Sequence, residues 1–277
     1  MSSRDINGST TLCLIIGDPV SHSLTPQLHN AGYKAADLNF CMAAAKVAEE
    51  ELSRAIAGVR SLAIGGLAVT MPHKVSIRAL LDELDPVAHS IGAVNTVLNK
   101  GGRLIGHNTD WLGILRPLQS RLNLAGKRIA ILGAGGAAQA AIYACFQAGG
   151  IVTVFSRSAD KAQQLATRYG AKAADLTSAR TLRDFDIIIN ATPVGMGTLA
   201  DRSPLTVEQL SCDQLILETI YAPRETKLIQ FAREIGCKVI TGDEMFLEQA
   251  AAQFEIHTSV VAPREAMATC LQQCWTC

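Results

Sequence analysis

The stretch Ile129-Ala130-Ile131-Leu132-Gly133-Ala134-Gly135-Gly136-Ala137-Ala138 decides how this chain is read. An apolar run meets a glycine-rich turn and continues into an alanine-rich segment, the pattern GxGxxG/A set after a strand and opening a helix. Each position has a mechanical reason. Gly133 permits a tight turn, Gly135 lets a pyrophosphate approach the backbone, and Ala138 allows the helix to pack closely on the strand. Free N–H groups at the helix start, around Ala134, Gly135, Gly136 and Ala137, would hold the phosphates. A glycine turn needed only for packing is the alternative. The surroundings favour the dinucleotide reading: Arg128 to Leu132 reads as a strand, Ala137 to Ala148 as a helix, and Val152 to Phe155 as the next strand.

That next strand runs out through Ser156-Arg157-Ser158. An NAD site usually carries an acid here for the ribose 2′-hydroxyl, whereas an arginine suits the 2′-phosphate of NADP. Lys161, four residues after Arg157, adds charge from the first turn of the following helix, and Asp160 falls past the strand end. NADP is favoured, with NAD as the other cofactor and an ordinary solvated arginine as the other reading of Arg157.

Working outward, Ile187 to Asn190 and Leu215 to Leu217 supply further strands with helical stretches between them. The first half also alternates. Thr11 to Ile16, Phe40 to Ala45 and Leu67 to Met71 read as strands; helical spacing follows from Leu24 to Ala35, Glu49 to Val59 and Val75 to Leu84. Gly101-Gly102 is a polar connection before a helix from Trp111 to Leu122. The expected fold class is α/β: a mainly parallel N-terminal substrate domain over 1–108, then a Rossmann, doubly wound dinucleotide-binding domain over 109–240. The last helices, Glu244 to Thr258 and Pro263 to Cys274, have no strand after them, so 241–277 is expected to pack back on the first domain.

The bulk numbers agree with a two-domain globular enzyme. The chain has 277 residues, 48% hydrophobic and only 18% charged, far from the profile of disorder. Lys plus Arg and Asp plus Glu are both 25, so no overall field recruits nucleic acid or an anionic membrane, and an anionic ligand must be held by a few local groups. The eight cysteines offer no CxxC pair with a distant partner pair and do not look like a disulfide framework, so neither a disulfide scaffold nor a metal site is expected. Cys270, Cys274 and Cys277 are the only cluster, at helical spacing. The N-terminal MSSRDINGST is polar and no run approaches the ~18 apolar residues of a membrane span. A cytoplasmic enzyme, monomer or homodimer, is the expectation.

Three polar clusters precede the glycine turn. Gly17-Asp18-Pro19-Val20-Ser21-His22-Ser23-Leu24-Thr25 leads into a helix, where the hydroxyls of Ser23 and Thr25 either cap that helix or bind a carboxylate; on spacing alone capping is favoured. Val69-Thr70-Met71-Pro72-His73-Lys74 sets a lysine just beyond a strand end, either as surface charge or as an acid–base group. Gly92-Ala93-Val94-Asn95-Thr96 and Gly106-His107-Asn108-Thr109-Asp110 form the third, whose Asp110 carboxylate could pair with Lys74.

Taken in order, these blocks resemble the shikimate dehydrogenase family from Gly17 to about Thr258, together with Asn190-Ala191-Thr192-Pro193-Val194-Gly195-Met196, Tyr221-Ala222-Pro223 with Thr226, and Met245 to Gln249. The resemblance implies interconversion of 3-dehydroshikimate and shikimate with NADP. It implies Lys74 and Asp110 as the catalytic pair and Ser23, Thr25 and Tyr221 on the substrate carboxylate. Thr70, Asn95 and Gln249 would hold ring hydroxyls. Cofactor contacts would come from the Gly133–Ala137 turn, Ser156, Arg157, Ser158, Lys161, Thr192, Met196, Gly242 and Met245. Thr25 stands where the family has a second serine, Ala68 where it has an asparagine, Ser156 where asparagine is frequent, and Glu218 is an acid before the tyrosine segment. Gly66-Leu67-Ala68-Val69 and Gln253 to Thr258 look like the shikimate dehydrogenase-like branch, which keeps quinate, an aminoshikimate, or a low-turnover binding protein on the same scaffold as alternatives.

Overall fold

The computed structural model describes residues 6–176 and 182–275. Residues up to Thr109, together with those from Gln249 onward, make one compact unit, and Asp110–Glu248 makes the other.

The first unit is built on a six-stranded sheet of order β2-β1-β3-β5-β6-β4. Its strands are β1 (Thr11–Gly17), β2 (Phe40–Lys46), β3 (Gly66–Val69), β4 (Glu83–Leu84), β5 (Thr96–Lys100) and β6 (Arg103–His107). β1 pairs in parallel with β2 and β3, as the alternation of strand and helix requires. β3–β5 and β5–β6 are antiparallel, so the sheet is mixed. The hairpin β5–β6 is a correction to the periodicity reading, which has Gly101-Gly102 as a plain connection. Both glycines have positive φ (62° and 91°), the conformation that a two-residue hairpin loop demands. A second correction concerns Val75 to Leu84. Only Ser76–Leu80 coils, as a 3-10 turn, and the chain then extends into β4. The reason is tertiary: Arg60 donates to Leu80 O (3.2 Å) and the Asp82 carboxylate (2.7 Å), and Leu104 N donates to Asp82 (2.7 Å). These bonds hold Asp82 extended beside β6.

One face of this sheet, through Leu67, Val69, Val97 and Leu104, packs on α2 (Leu52–Ser61) through Ile56 and Val59. The other face meets α1 (Thr25–Ala35) and the end of α8 (Gly242–Thr258); Tyr33 stacks on Phe254 at 5.3 Å, and His257 bonds Val97 O at 3.2 Å. α9 (Arg264–Gln273) packs against α1. His29 and His257 are buried here, with ring centroids 6.2 Å apart. Burial, then the nearby second imidazole, pushes His29 down to about 3; burial outweighs the Val97 bond and takes His257 down to about 4. Both folded values lie below the unfolded 6.5, so the stability they confer is full above that value and is lost as pH falls through it towards 4 and 3. Chemical denaturation at stepped pH should show a steep loss of stability below about pH 6. Replacing His29 with Gln should flatten that slope; an unchanged slope would show that the buried imidazoles do not drive it.

The second unit is a parallel sheet of order β12-β11-β10-β7-β8-β9, the doubly wound order 3-2-1-4-5-6. Its strands are β7 (Arg128–Leu132), β8 (Ile151–Ser156), β9 (Lys172–Asp175), β10 (Ile187–Asn190), β11 (Leu215–Glu218) and β12 (Lys238–Ile240). β7, β10 and β11 are buried almost throughout, as a sheet covered on both faces requires. The remaining helices are α3 (Pro86–Ile91) in the first unit and α4 (Asp110–Gln119), α5 (Gly136–Gln147), α6 (Ala159–Tyr169) and α7 (Lys227–Glu234) in the second. The division between units falls inside α8. Its first turns, within the segment expected to return to the first domain, are held by the second unit instead: Glu244 pairs with Arg121 at 2.7 Å, Glu248 with Arg116 at 3.1 Å, and Phe246 stacks on Tyr221 at 4.4 Å.

No helix among the described residues is long and apolar enough to cross a membrane. The described cysteines, Cys270 and Cys274 among them, are free thiols, and no cluster of metal-ligating side chains occurs among the described residues. Cys277 lies outside the described residues.

Candidate active site

In the first unit, the site residues gather where β1 and β3 end. Thr70 N donates to Ile16 O (3.0 Å) and Asp18 N to Met71 O (2.9 Å), which joins the two strand exits. The Met71-Pro72 peptide is cis, and His73 N donates back to Thr70 O at 3.0 Å, closing a turn that presents Lys74. His73 itself is fully buried, its Nε2 2.8 Å from Val47 O. Val94 N donates to Lys74 O (2.7 Å) and Val69 N to Asn95 O (2.7 Å), so the lysine backbone is tied to the segment carrying Asn95.

Asn95 is the hub of a buried polar network. Its Nδ2 donates to Thr109 Oγ1 (2.9 Å) and Gln249 Oε1 (3.3 Å), and its Oδ1 accepts from Thr109 N (2.7 Å) and Thr96 Oγ1 (2.8 Å). Gln253 Nε2 donates to Asn95 O and Thr96 Oγ1. Thr70, Lys74, Asn95 and Gln249 are thereby joined through backbone and side-chain bonds. Asp110 follows Thr109 directly and is the first residue of α4; it is buried.

Ser23 and Thr25 also meet: Ser23 Oγ donates to Thr25 Oγ1 at 3.1 Å and accepts from Thr25 N at 3.2 Å. The capping expectation holds only in a modified form: Leu24 is the N-cap of α1 and makes no side-chain bond, but Ser23, just before it, takes the N–H of Thr25, the first residue of the helix.

In the second unit, Gly133 adopts φ 113°, and a Cβ there would lie 2.7 Å from Ala191 O. Gly133 N donates to Phe155 O (2.7 Å), stitching the turn to the end of β8. Gly135, the N-cap of α5, has no side-chain cap, and a Cβ built on it would meet nothing within 4 Å. Open space above an uncapped helix start is the cradle a pyrophosphate needs, so these residues fit a dinucleotide. At the end of β8, Ser156 Oγ accepts from Ser158 N (3.1 Å), while Arg157, Ser158 and Lys161 are exposed. Two cations just beyond the strand end suit a 2′-phosphate. Thr192 lies just after β10 and is held by Asn190 Oδ1, which accepts from its N–H (3.1 Å) and its hydroxyl (2.7 Å); Met196 follows in the same half-buried segment. Gly242 is required by close approach, since a Cβ would collide with the backbone at Ile220–Tyr221; this brings the start of α8, with the buried Met245, against the Tyr221 segment.

Motif reading does not identify His73, Gln253 or Glu218 as parts of these networks. The sequence shows the residues, but only tertiary contact shows their partners.

Comparison with known proteins agrees with both units. Residues 15–97 match the family model for the shikimate dehydrogenase substrate binding domain, and residues 242–269 that for the shikimate 5′-dehydrogenase C-terminal domain. Residues 128–216 match that described as NADP oxidoreductase coenzyme F420-dependent. A Dehalococcoides mccartyi protein (strain BAV1) named shikimate dehydrogenase (NADP(+)) is 42% identical over 263 residues, 91% of this chain and 92% of the relative. A crystal structure of a shikimate dehydrogenase in complex with NADP+ superposes with a TM-score of 0.93 at 36% identity, covering 99% of this chain and 98% of that one. Shikimate 5-dehydrogenase from Thermus thermophilus, in complex with NADP(H) and shikimate, gives 0.88 at 34%, covering 95% and 99%. This chain belongs to the shikimate dehydrogenase family.

Proposed function

We propose that this chain interconverts 3-dehydroshikimate and shikimate with NADP(H). The observation that carries the reading is the joining of Thr70, Lys74, Asn95 and Gln249 at the exits of β1 and β3, in a chain that also holds an open glycine cradle. Relatives that cover nine-tenths of the chain and carry that activity in their names support the same conclusion.

In this reading Lys74 gives a proton to the carbonyl oxygen of the ring ketone in the reductive direction and takes it back from the hydroxyl in the other. Asp110 orients the ammonium and shares the proton handling. Ser23 and Thr25 donate their hydroxyls to the substrate carboxylate, and Tyr221 serves the same group. Thr70, Asn95 and Gln249 hold ring hydroxyls, and a buried amide is suited to this because an analogue lacking its hydroxyl leaves the amide unpaired. When bound, NADP+ would supply the hydride acceptor in the oxidative direction and NADPH the hydride donor in the reductive one. The Gly133–Ala137 turn holds its pyrophosphate, with Thr192, Met196, Gly242 and Met245 along the rest of the dinucleotide. Ser156, Arg157, Ser158 and Lys161 bind the 2′-phosphate. The free thiols fit action in the reducing cytoplasm.

The test is a panel of shikimate, quinate and an aminoshikimate with NADP and with NAD, read by the absorbance of the reduced cofactor. Shikimate with NADP should give the highest kcat/KM; turnover only of quinate, or none of any, would overturn the reading. In the same assay Arg157→Ala should raise KM for NADP about tenfold and leave that for NAD unchanged, since a charge-assisted phosphate contact is lost. Equal effects on both cofactors would remove Arg157 from the phosphate site.

A further inference from the structure

We infer that Glu218 is a positioning residue whose buried carboxylate sets both the segment carrying Thr192 and Met196 and the segment carrying Tyr221. The inference rests on the cofactor and substrate roles proposed above for those residues.

Glu218 ends β11 and is fully buried. Its two oxygens each accept from Asn190 Nδ2 at 3.0 Å, one accepts from Ile220 N (3.1 Å), and the other from Thr226 Oγ1 (2.9 Å). Burial pushes its pKa up to about 7 against the pull of these donors. The carboxylate is thus held by neutral donors from three segments of chain.

The consequence lies in the polarity of Asn190. Above about pH 7 Glu218 is ionised and only accepts, so the amide turns its NH2 towards Glu218 and its oxygen away, the orientation its bonds show. That oxygen is what Thr192 needs: its N–H and hydroxyl both donate to Asn190 Oδ1, and its Oγ1 then accepts from Val194 N at 3.2 Å. The Asn190 NH2 also reaches Val194 O at 3.2 Å. The acid thus fixes, through one amide, the course of the chain from Thr192 to Val194. On its other side it takes the N–H of Ile220, the residue before Tyr221. It also accepts a hydrogen bond from the Thr226 hydroxyl, which leaves the Thr226 oxygen lone pairs for Ile229 N at the start of α7. A glutamine at 218 has nearly the same shape but can offer an NH2 to Asn190 Oδ1. The amide is then free to flip, and a flipped amide would present its NH2 to the donors of Thr192.

Glu218→Gln and Glu218→Asp separate positioning from simple support. NADPH binding is read by fluorescence titration, with KM for NADP and shikimate, kcat, and thermal unfolding in parallel. Glu218→Gln should weaken NADPH binding and raise both KM values about tenfold, as loss of hydrogen bonds to a charged group implies, with kcat on saturated enzyme within about threefold of wild type. Glu218→Asp, which is again acceptor-only, should return the constants most of the way. Wild-type KM values in folded Glu218→Gln, or losses of kcat that track the unfolded fraction, overturn the inference. If the glutamine variant does not fold, Asn190→Ala, which removes the amide that links Glu218 to Thr192, decides: a raised KM for NADP at unchanged kcat supports the role, and wild-type constants overturn it. Wild-type protein that neither binds NADPH nor turns over shikimate overturns the proposed function itself, an outcome visible before any variant is made.

Discussion

Lys74→Ala is expected to oxidise shikimate with kcat about a thousandfold below wild type, within the range contributed by a positioned general acid or base. The scaffold should survive, because what holds the turn is not the amine. Lys74 is tied through its carbonyl, which accepts from Val94 N, and its neighbour His73 is buried against Val47 O. NADPH titration and thermal unfolding should therefore match wild type, and the loss should appear in kcat and kcat/KM together. Asp110→Asn keeps the side-chain shape and removes the charge; it should lose activity on a comparable scale. If the two act as a unit, the double variant will be little worse than Lys74→Ala alone, since residues sharing one proton transfer are strongly non-additive. A kcat in Lys74→Ala within a few-fold of wild type would remove the lysine from the chemistry.

Gly133→Ala should be the most damaging change on the cofactor side. At φ 113° an L side chain is strained, costing on the order of 1–3 kcal/mol, and its Cβ would press on Ala191 O at 2.7 Å. Relief requires moving the end of β7 or the segment after β10 that carries Thr192, so the harm spreads to the neighbouring strand. We expect NADPH affinity to fall about a hundredfold, equivalent to about 2.8 kcal/mol, with a clear drop in melting temperature. Gly135→Ala supplies the contrast. Its φ is −89° and its Cβ meets nothing within 4 Å, so stability should hold while the methyl occupies the cradle and NADPH binding weakens. If both variants lose stability and affinity equally, the distinction between turn and cradle is wrong.

The two glycines also show what kind of information is local. The need for Gly133 and Gly135 is legible because each answers a constraint within a few residues of backbone, and the apolar run before them suits a strand in a sheet buried on both faces. The hairpin β5–β6 is equally local, and two glycines between its strands carry its signal. By contrast, Val75 to Leu84 has helical spacing and yet is extended at its end, because Arg60 and Leu104 hold Asp82 from distant parts of the chain. Local preference is overridden there by contacts that spacing does not encode. At the start of α1 the outcome is local: the hydroxyls of Ser23 and Thr25, two residues apart, bond each other, and Ser23 takes the first N–H of the helix.

By itself, then, the sequence determined the α/β class, the doubly wound cofactor unit, the charge at the end of β8 that favours NADP, and which polar residues stand as candidates for the chemistry. Periodicity, glycine constraints and residue type are properties of short segments, so they can be read without a fold. Only the tertiary structure decided which of those residues meet: Asn95 reaches Gln249 across 154 positions, and Glu218 gathers donors from β10, from the residue before Tyr221 and from the start of α7. Hydrogen bonds act over about 3 Å of space whatever the separation in sequence, and burial makes each of them costly to leave unmade.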